Sequence, residues 1–246
     1  MKWPFKKKQI LASEIDLGVL KTDMHSHLIP GIDDGSKSIE ESITLIRELK
    51  SLGYKKIITS PHIQNERFKN TAEIINNGLE NLRAELEKSN IQIEIEAAAE
   101  YLIDDGFIEK YKQGNLLTFG DNYILVELSY YSEPMNLKQL FFDLQLDGYK
   151  IILAHPERYT YWHNNINAYQ ELFDRSIYLQ LNINSLTGWY SKESQRIAKE
   201  LIDRKLIKFL GTDLHNEVYL NQLKLSLREP YLKKILDSGL ILNSEL

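Results

Sequence analysis

Apolar positions along this chain follow two alternating rhythms, a short continuous run and then a stretch at helical spacing. Ile39, Ile43, Ile46 and Leu49 recur at three- and four-residue intervals. They stand behind Ser38-Ile39-Glu40-Glu41, a capping box in which Ser38 and Glu41 can satisfy each other's free amides. Gly53 marks the stop. Lys55 to Thr59 then reads as a short strand. Ala72, Ile75, Leu79, Leu82 and Leu86 form a second helical face, and Ile91 to Ile95 alternates as a strand does. Further strands are predicted at Tyr123–Val126, Ile151–Ala154, Ile177–Leu181 and Ile207–Leu210. Helical faces lie between them at Leu137–Leu144, Ile166–Phe173 and Ile197–Ile202, and Pro230 suits the first turn of a last helix. With a first strand at Val19–Met24 there are about seven strands, most separated by helices. Such alternation predicts a parallel α/β sheet, either an open doubly wound sheet or a closed barrel. No linker or internal repeat interrupts it, so one domain is expected over 1–246. Residues 1–15 read as a basic, partly flexible lead carrying Lys2, Lys6, Lys7 and Lys8.

Composition narrows the picture. The chain is 43% hydrophobic and 26% charged, as an ordinary soluble protein is. A formal charge of −5 argues against a nucleic-acid binder, which would carry a basic stripe. The apolar runs are far too short for membrane insertion, and the lysine-rich start has no apolar stretch behind it. A cytoplasmic protein is expected. The chain has no cysteine, which excludes disulfides, thiolate metal sites and a phosphocysteine intermediate.

The candidate chemistry lies in where the histidines fall. Of six, five stand at or just beyond the C-terminal end of a predicted strand: His25, His27, His62, His155 and His215. Glu100 and Glu127 are placed equivalently, and Asp213 precedes His215 by two residues. A His-X-His pair in extended chain turns both imidazoles to one side, and Asp213-Leu214-His215 does the same with a carboxylate. Imidazole and carboxylate together suit zinc, manganese or iron rather than calcium. In barrels the active site is built at the C-terminal ends of the strands, from several strands at once. His163 stands outside this pattern and reads as a surface histidine.

The motifs Asp23-Met24-His25-Ser26-His27, Ser60-Pro61-His62, Ala99-Glu100, Ala154-His155-Pro156-Glu157-Arg158 and Gly211-Thr212-Asp213-Leu214-His215 resemble those of the polymerase and histidinol phosphatase (PHP) superfamily. Pro30-Gly31-Ile32-Asp33-Asp34-Gly35 and the Leu-Val-Glu-Leu-Ser around Glu127 resemble its bacterial tyrosine phosphatase branch, of the CpsB/YwqE type in capsule and exopolysaccharide regulation. The resemblance runs from Leu20 to Asn216. It implies a distorted (β/α)7 barrel of the TIM-like PHP type with three divalent metals, Mn2+ foremost, with Fe or Zn2+ as alternatives. It implies that His25, His27, Glu100 and Asp213 hold the first metal, that Glu100 is shared with a second completed by Glu127 and His155, and that Asp34, His62 and His215 hold the third. Arg158 resembles the family's phosphate-binding arginine. A second arginine usual after the last motif is missing from Asn216-Glu217-Val218-Tyr219-Leu220.

The resemblance further implies a phosphotyrosine protein as substrate, in particular a cognate bacterial tyrosine autokinase in polysaccharide export. The expected reaction is direct hydrolysis by a hydroxide shared between metals, with Arg158 on the phosphoryl oxygens. Tyr130, Tyr131, Tyr159, Tyr161 and Trp162 lie beside strand ends and could form an aromatic lip for the substrate ring. Three other readings stay open at this stage: a small-molecule phosphatase acting on a substrate such as histidinol phosphate, a nuclease or polymerase-associated module, and a non-catalytic binding protein.

Overall fold

The computed structural model describes residues 15–114 and 116–246; the basic stretch Lys2–Lys8 lies outside them. Within them the fold is α/β with parallel sheets. A 3-10 turn, Leu17–Leu20, leads into β1 (Thr22–Asp23), so the predicted first strand begins in a helical turn and is extended only from Thr22. The Asp16 carboxylate accepts from the Gly18 amide and caps that turn, and Lys21 leaves it at φ 59°. Helix α1 (Ile39–Ser51) starts where the capping box predicts, with the Ser38 hydroxyl accepting from the Glu41 amide. The Glu41 carboxylate, however, accepts from Lys37 N–H rather than from Ser38.

Strand β2 (Lys56–Thr59) is interrupted at Ser60-Pro61 before β3 (His62–Ile63). After α2 (Ala72–Lys88) come β4 (Glu94–Ala97) and β5 (Glu100–Leu102), again a strand in two pieces. The predicted strand at Ile91 begins three residues later, because Ile91 N–H still closes the end of α2 on Leu86 O. Helix α3 (Asp105–Lys112) buries only Gly106 and Phe107 and left little apolar signal in the sequence. The remaining elements alternate: β6 (Tyr123–Glu127), α4 (Leu137–Leu146), β7 (Lys150–Ala154), α5 (Ile166–Asp174), β8 (Tyr178–Asn182), α6 (Lys192–Asp203) and β9 (Ile207–Gly211). Helices α7 (Glu217–Ser226) and α8 (Pro230–Leu236) close the chain.

Two parallel sheets run β1-β2-β4 and β3-β5-β6-β7-β8-β9. Beyond β9 and β1 the chain makes a parallel bridge between Ser26 and Leu214, with Asp213 N–H donating to His25 O at 2.8 Å. Strand parity sorts the core into two clusters. Ile124, Val126, Ile151, Leu153, Leu179 and Leu181 face the helices in the larger one. Met24, Ile58, Ala98, Leu125, Ile152, Ala154 and Phe209, from strands or their extensions, make the smaller one together with Phe119 from the loop before β6. The alternation that sends Leu125 into the smaller cluster turns Glu127 to the same side one step further on. On β8 it does so for Gln180 and Asn182, both fully buried polar residues.

Candidate metal centre

The candidate ligands stand at or just past strand ends, apart from Asp34 in the loop between β1 and α1, and different local devices deliver them. His62 opens β3, directly beside Glu100 at the start of β5. His155 follows the inward Ala154, so plain alternation would turn it away. It adopts φ 34°, a left-handed conformation costly for a side chain of this size. Asp213 does likewise, at φ 50°. Both strained positions sit at the centre, where such conformations cluster in proteins that use them. Gly211 lets the backbone pass close by, since a Cβ there would lie 2.8 Å from His25 Cβ and 2.6 Å from Gln180 Nε2.

The side chains converge tightly. His25 Nε2 lies 3.3 Å from His27 Nε2, 3.1 Å from Glu100 Oε2 and 3.4 Å from Asp213 Oδ1. His27 Nε2 is 3.4 Å from each of those two carboxylate oxygens. Donors about 2.1 Å from one ion at tetrahedral angles stand about 3.4 Å apart, so these separations suit a shared cation. Two further groups of potential ligands adjoin this one, His62 with Glu100 and Glu127, and His27 with His62 and His215. His62 Nδ1 is 3.1 Å from both Glu100 Oε2 and Glu127 Oε1. Even so, His62 Nδ1 and Glu100 Oε2 are buried without a hydrogen-bond partner, at a cost of about 1–3 kcal/mol each if nothing else meets them. A cation between them removes that cost.

In three of the histidines one ring nitrogen is occupied in a way that aims the other inward. His25 Nδ1 meets Gln180 Oε1 at 2.8 Å and His27 Nδ1 meets Asp33 Oδ2 at 2.8 Å. His215 Nδ1 donates to Asp213 O at 2.9 Å. With the proton on Nδ1, the lone pair of Nε2 faces the cluster, as metal-ligating histidines require. Asp33 and Gln180 are the residues that sequence reading missed. Asp33 also accepts from the His62 and Gly35 amides, while its neighbour Asp34 has Oδ1 3.5 Å from His62 Nε2 and 3.6 Å from His215 Nε2. The adjacent aspartates thus divide two tasks. His155 reaches Glu100 Oε1 at 2.8 Å, yet the compact group with Glu100 and Glu127 contains His62 instead.

Electrostatics agree with a site that calls for positive charge. Burial alone would depress the His25 imidazole, but the Glu100 and Asp213 carboxylates outweigh it and raise its pKa from 6.5 to about 9. Burial, and then Arg158, instead push His155 below its ordinary value, which leaves it neutral and able to ligate. A metal entering beside His25 must displace a proton. The apparent affinity for Mn2+ is therefore expected to rise with pH up to about 9, by about tenfold per unit for each proton released. In metal-stripped protein the raised His25 pKa contributes stability that is fully present below about 6.5 and lost as pH rises through about 9. Melting scans of stripped protein and metal titrations across pH 6–9 test both trends; a pH-independent affinity would overturn the reading.

Arg158 Nη1 donates to Asp213 Oδ2 at 3.2 Å, not to Glu157. Glu157 turns inward instead, where it accepts from the Ser185 hydroxyl and the Asn182 amide. His163 lies away from the metal ligands as expected, but it is half-buried rather than a surface residue, with Nε2 2.9 Å from Glu157 O. The aromatic lip is corrected in part. Tyr159 and Trp162 are buried in the core, Tyr161 donates to Ser129 O, and Tyr131 is 96% exposed. Of the five, Tyr130 stacks on His155 at 5.9 Å and lies under Arg158, while Tyr159 meets His155 edge-on at 6.0 Å from within the core.

The profile of capsular polysaccharide synthesis proteins, CpsB/CapC, matches residues 21–237. The chain belongs to the CpsB/CapC family. It is 31% identical over 195 residues to the tyrosine-protein phosphatase YwqE of Bacillus subtilis, covering 79% of this chain and 77% of that protein. The tyrosine-protein phosphatase CpsB of Streptococcus pneumoniae is 27% identical, with 87% and 88% covered. Among solved structures, that of the metal-dependent tyrosine phosphatases YwqE and CpsB superposes with a TM-score of 0.80 at 30% identity, over 89% of each chain. A histidinol phosphate phosphatase from Lactococcus lactis shares the fold at a TM-score of 0.51 and 15% identity, with 87% of this chain and 92% of that one covered.

Proposed function

We propose that this chain is a metal-dependent protein-tyrosine phosphatase whose substrate is a phosphotyrosine protein, in particular a bacterial tyrosine autokinase of polysaccharide export. The observation that carries this reading is the convergence of His25, His27, Glu100 and Asp213 on one point, with Arg158 held against Asp213 at its edge. Family membership and the YwqE and CpsB likeness support the phosphotyrosine substrate. They favour it over histidinol phosphate, since the likeness to that enzyme extends to the fold alone. The proposal includes three divalent ions, Mn2+ foremost. His25, His27, Glu100 and Asp213 would hold one; Glu100, Glu127 and His155, with His62 in reach, a second; Asp34, His62 and His215 a third. It also includes a cytoplasmic location, consistent with a chain free of cysteine. Closure of the sheets into a distorted (β/α)7 barrel belongs to the same proposal. The Ser26–Leu214 bridge and a small apolar cluster drawn from strands of both sheets support it.

In this mechanism, bound divalent ions supply a water whose pKa is lowered towards about 7 and a Lewis acid for the phosphoryl oxygens. The chain's own residues do the rest. Arg158 offers its N–H edge to the phosphoryl group, so that the charge that builds in the transition state meets a planar donor fork. Gln180 and Asp33 fix the imidazoles of His25 and His27. The phenolate leaving group departs with little protonation help.

After reconstitution with Mn2+, initial rates are expected to favour a phosphotyrosine peptide over phosphoserine peptide and histidinol phosphate. EDTA is expected to abolish turnover, and added Mn2+ to restore it. Full activity in stripped enzyme, or a preference for histidinol phosphate, would overturn the proposal.

A further inference from the structure

Arg158 is held in a way that the reaction scheme does not itself explain. Its guanidinium carbon lies 4.7 Å from the centre of the Tyr130 ring and 4.2 Å from that of Tyr190. The sheet order makes this arrangement. Strand β7 runs between β6 and β8, so the loop after it, which carries Arg158, is flanked by the loops after its two neighbours. Tyr130 comes from the β6 side and Tyr190 from the β8 side.

Two ring contacts of this kind occupy the guanidinium, whereas its N–H groups remain directed along its edge. Among the described residues the guanidinium has one hydrogen-bond partner, Asp213 Oδ2. The rest of its donor fork is unspent, although only 21% of the side chain is exposed. Tyr190 is itself fixed. Its hydroxyl accepts from Asn182 Nδ2 at 2.8 Å, and its ring packs 4.8 Å from that of Trp189. Trp189 meets Tyr219 edge-on at 4.5 Å, and Tyr219 stacks on His215 at 4.7 Å. Tyr130 stacks on His155 on the other side. Both rings are thus tied to candidate metal ligands.

We propose that Tyr130 and Tyr190 are positioning residues, an aromatic clamp that holds Arg158 edge-on to the metal centre for a phosphoryl group. This rests on the reading of Arg158 as the phosphate-binding residue. The clamp lowers the ordering cost of anion binding, because a free arginine side chain must give up its rotamer freedom when it binds. It also restricts what can bind. With two rings packed on its guanidinium, Arg158 has little open surface for the substrate's phenyl ring, so it serves the phosphoryl oxygens alone and the ring must be received elsewhere.

The test measures inorganic phosphate binding to the Mn2+-loaded protein by calorimetry, alongside metal content, melting temperature, and KM and kcat on a phosphotyrosine peptide. Tyr190→Leu is expected to weaken phosphate about tenfold and raise KM, with metal content unchanged. Tyr190→Phe, which keeps the ring and loses the hydroxyl, is expected to restore phosphate affinity. Tyr130→Leu should repeat the loss, and it decides the matter if Tyr190→Leu does not fold. The clamp is overturned if the leucine variants bind phosphate as the unsubstituted protein does, or if Tyr190→Phe is as weak as Tyr190→Leu. Arg158→Ala separates the two levels. If it leaves phosphate affinity unchanged, the reading of Arg158 has failed and the clamp with it. If it weakens phosphate while the leucine variants do not, the clamp alone has failed.

Discussion

Glu100→Gln is expected to lower phosphotyrosine hydrolysis by about a thousandfold or more and to reduce the bound metal at the same time. Glu100 is fully buried and stands nearest the middle of the ligand set. One oxygen lies 3.1 Å from both His25 and His62, and the other 2.8 Å from His155. Although burial opposes its ionisation, the surrounding imidazoles hold its carboxyl well below the usual range. The amide keeps the shape and removes the charge, so any loss reads the charge and not the packing. Metal analysis of the purified variant is the direct check. A variant with full metal content and near-normal turnover would show that Glu100 is not a ligand.

Arg158→Lys is expected to lower kcat/KM on a phosphotyrosine peptide by about a hundredfold or more, with metal content unchanged. Lysine keeps the positive charge but not the planar fork, and it gains less from the Tyr130 and Tyr190 rings. Asp213 would also lose its arginine partner, which contributes to holding its carboxyl well below the usual range after His25 and His215. The measurement pairs steady-state rates with metal analysis. Wild-type kcat/KM in Arg158→Lys would assign phosphate recognition to the metals alone.

The two kinds of residue in this centre differ in how far the sequence reveals them. Strand-end histidines and acids stand out, because each follows an apolar run and the runs recur with helices between them. His25, His27, Glu100 and Asp213 come together as their positions imply. Asp33 and Asp34 are neighbours of one type, and nothing in the sequence says which faces the ring nitrogen of His27 and which faces His62 and His215. The β8 strand supplies no histidine or acid and so looked silent. Yet Gln180 orients His25, and Asn182 donates to Asp213 Oδ2 at 2.8 Å. The aromatic lip held only in part for a related reason. Nearness to a strand end does not tell a tyrosine that caps the core, as Tyr159 does through Ala154 O, from one that faces the site, as Tyr130 does.

Local pattern therefore determined the alternating strands and helices, the starts of α1 and α2, and the set of residue types gathered at the strand ends. These follow from periodicity and capping, which act over a few residues. Tertiary structure decided the break of β2 from β3 and of β4 from β5, the left-handed turns at His155 and Asp213, the division of labour between Asp33 and Asp34, and the pairing of Tyr130 and Tyr190 around Arg158. Each of those depends on which strands lie side by side, and segments far apart in the chain carry no record of that in their own spacing.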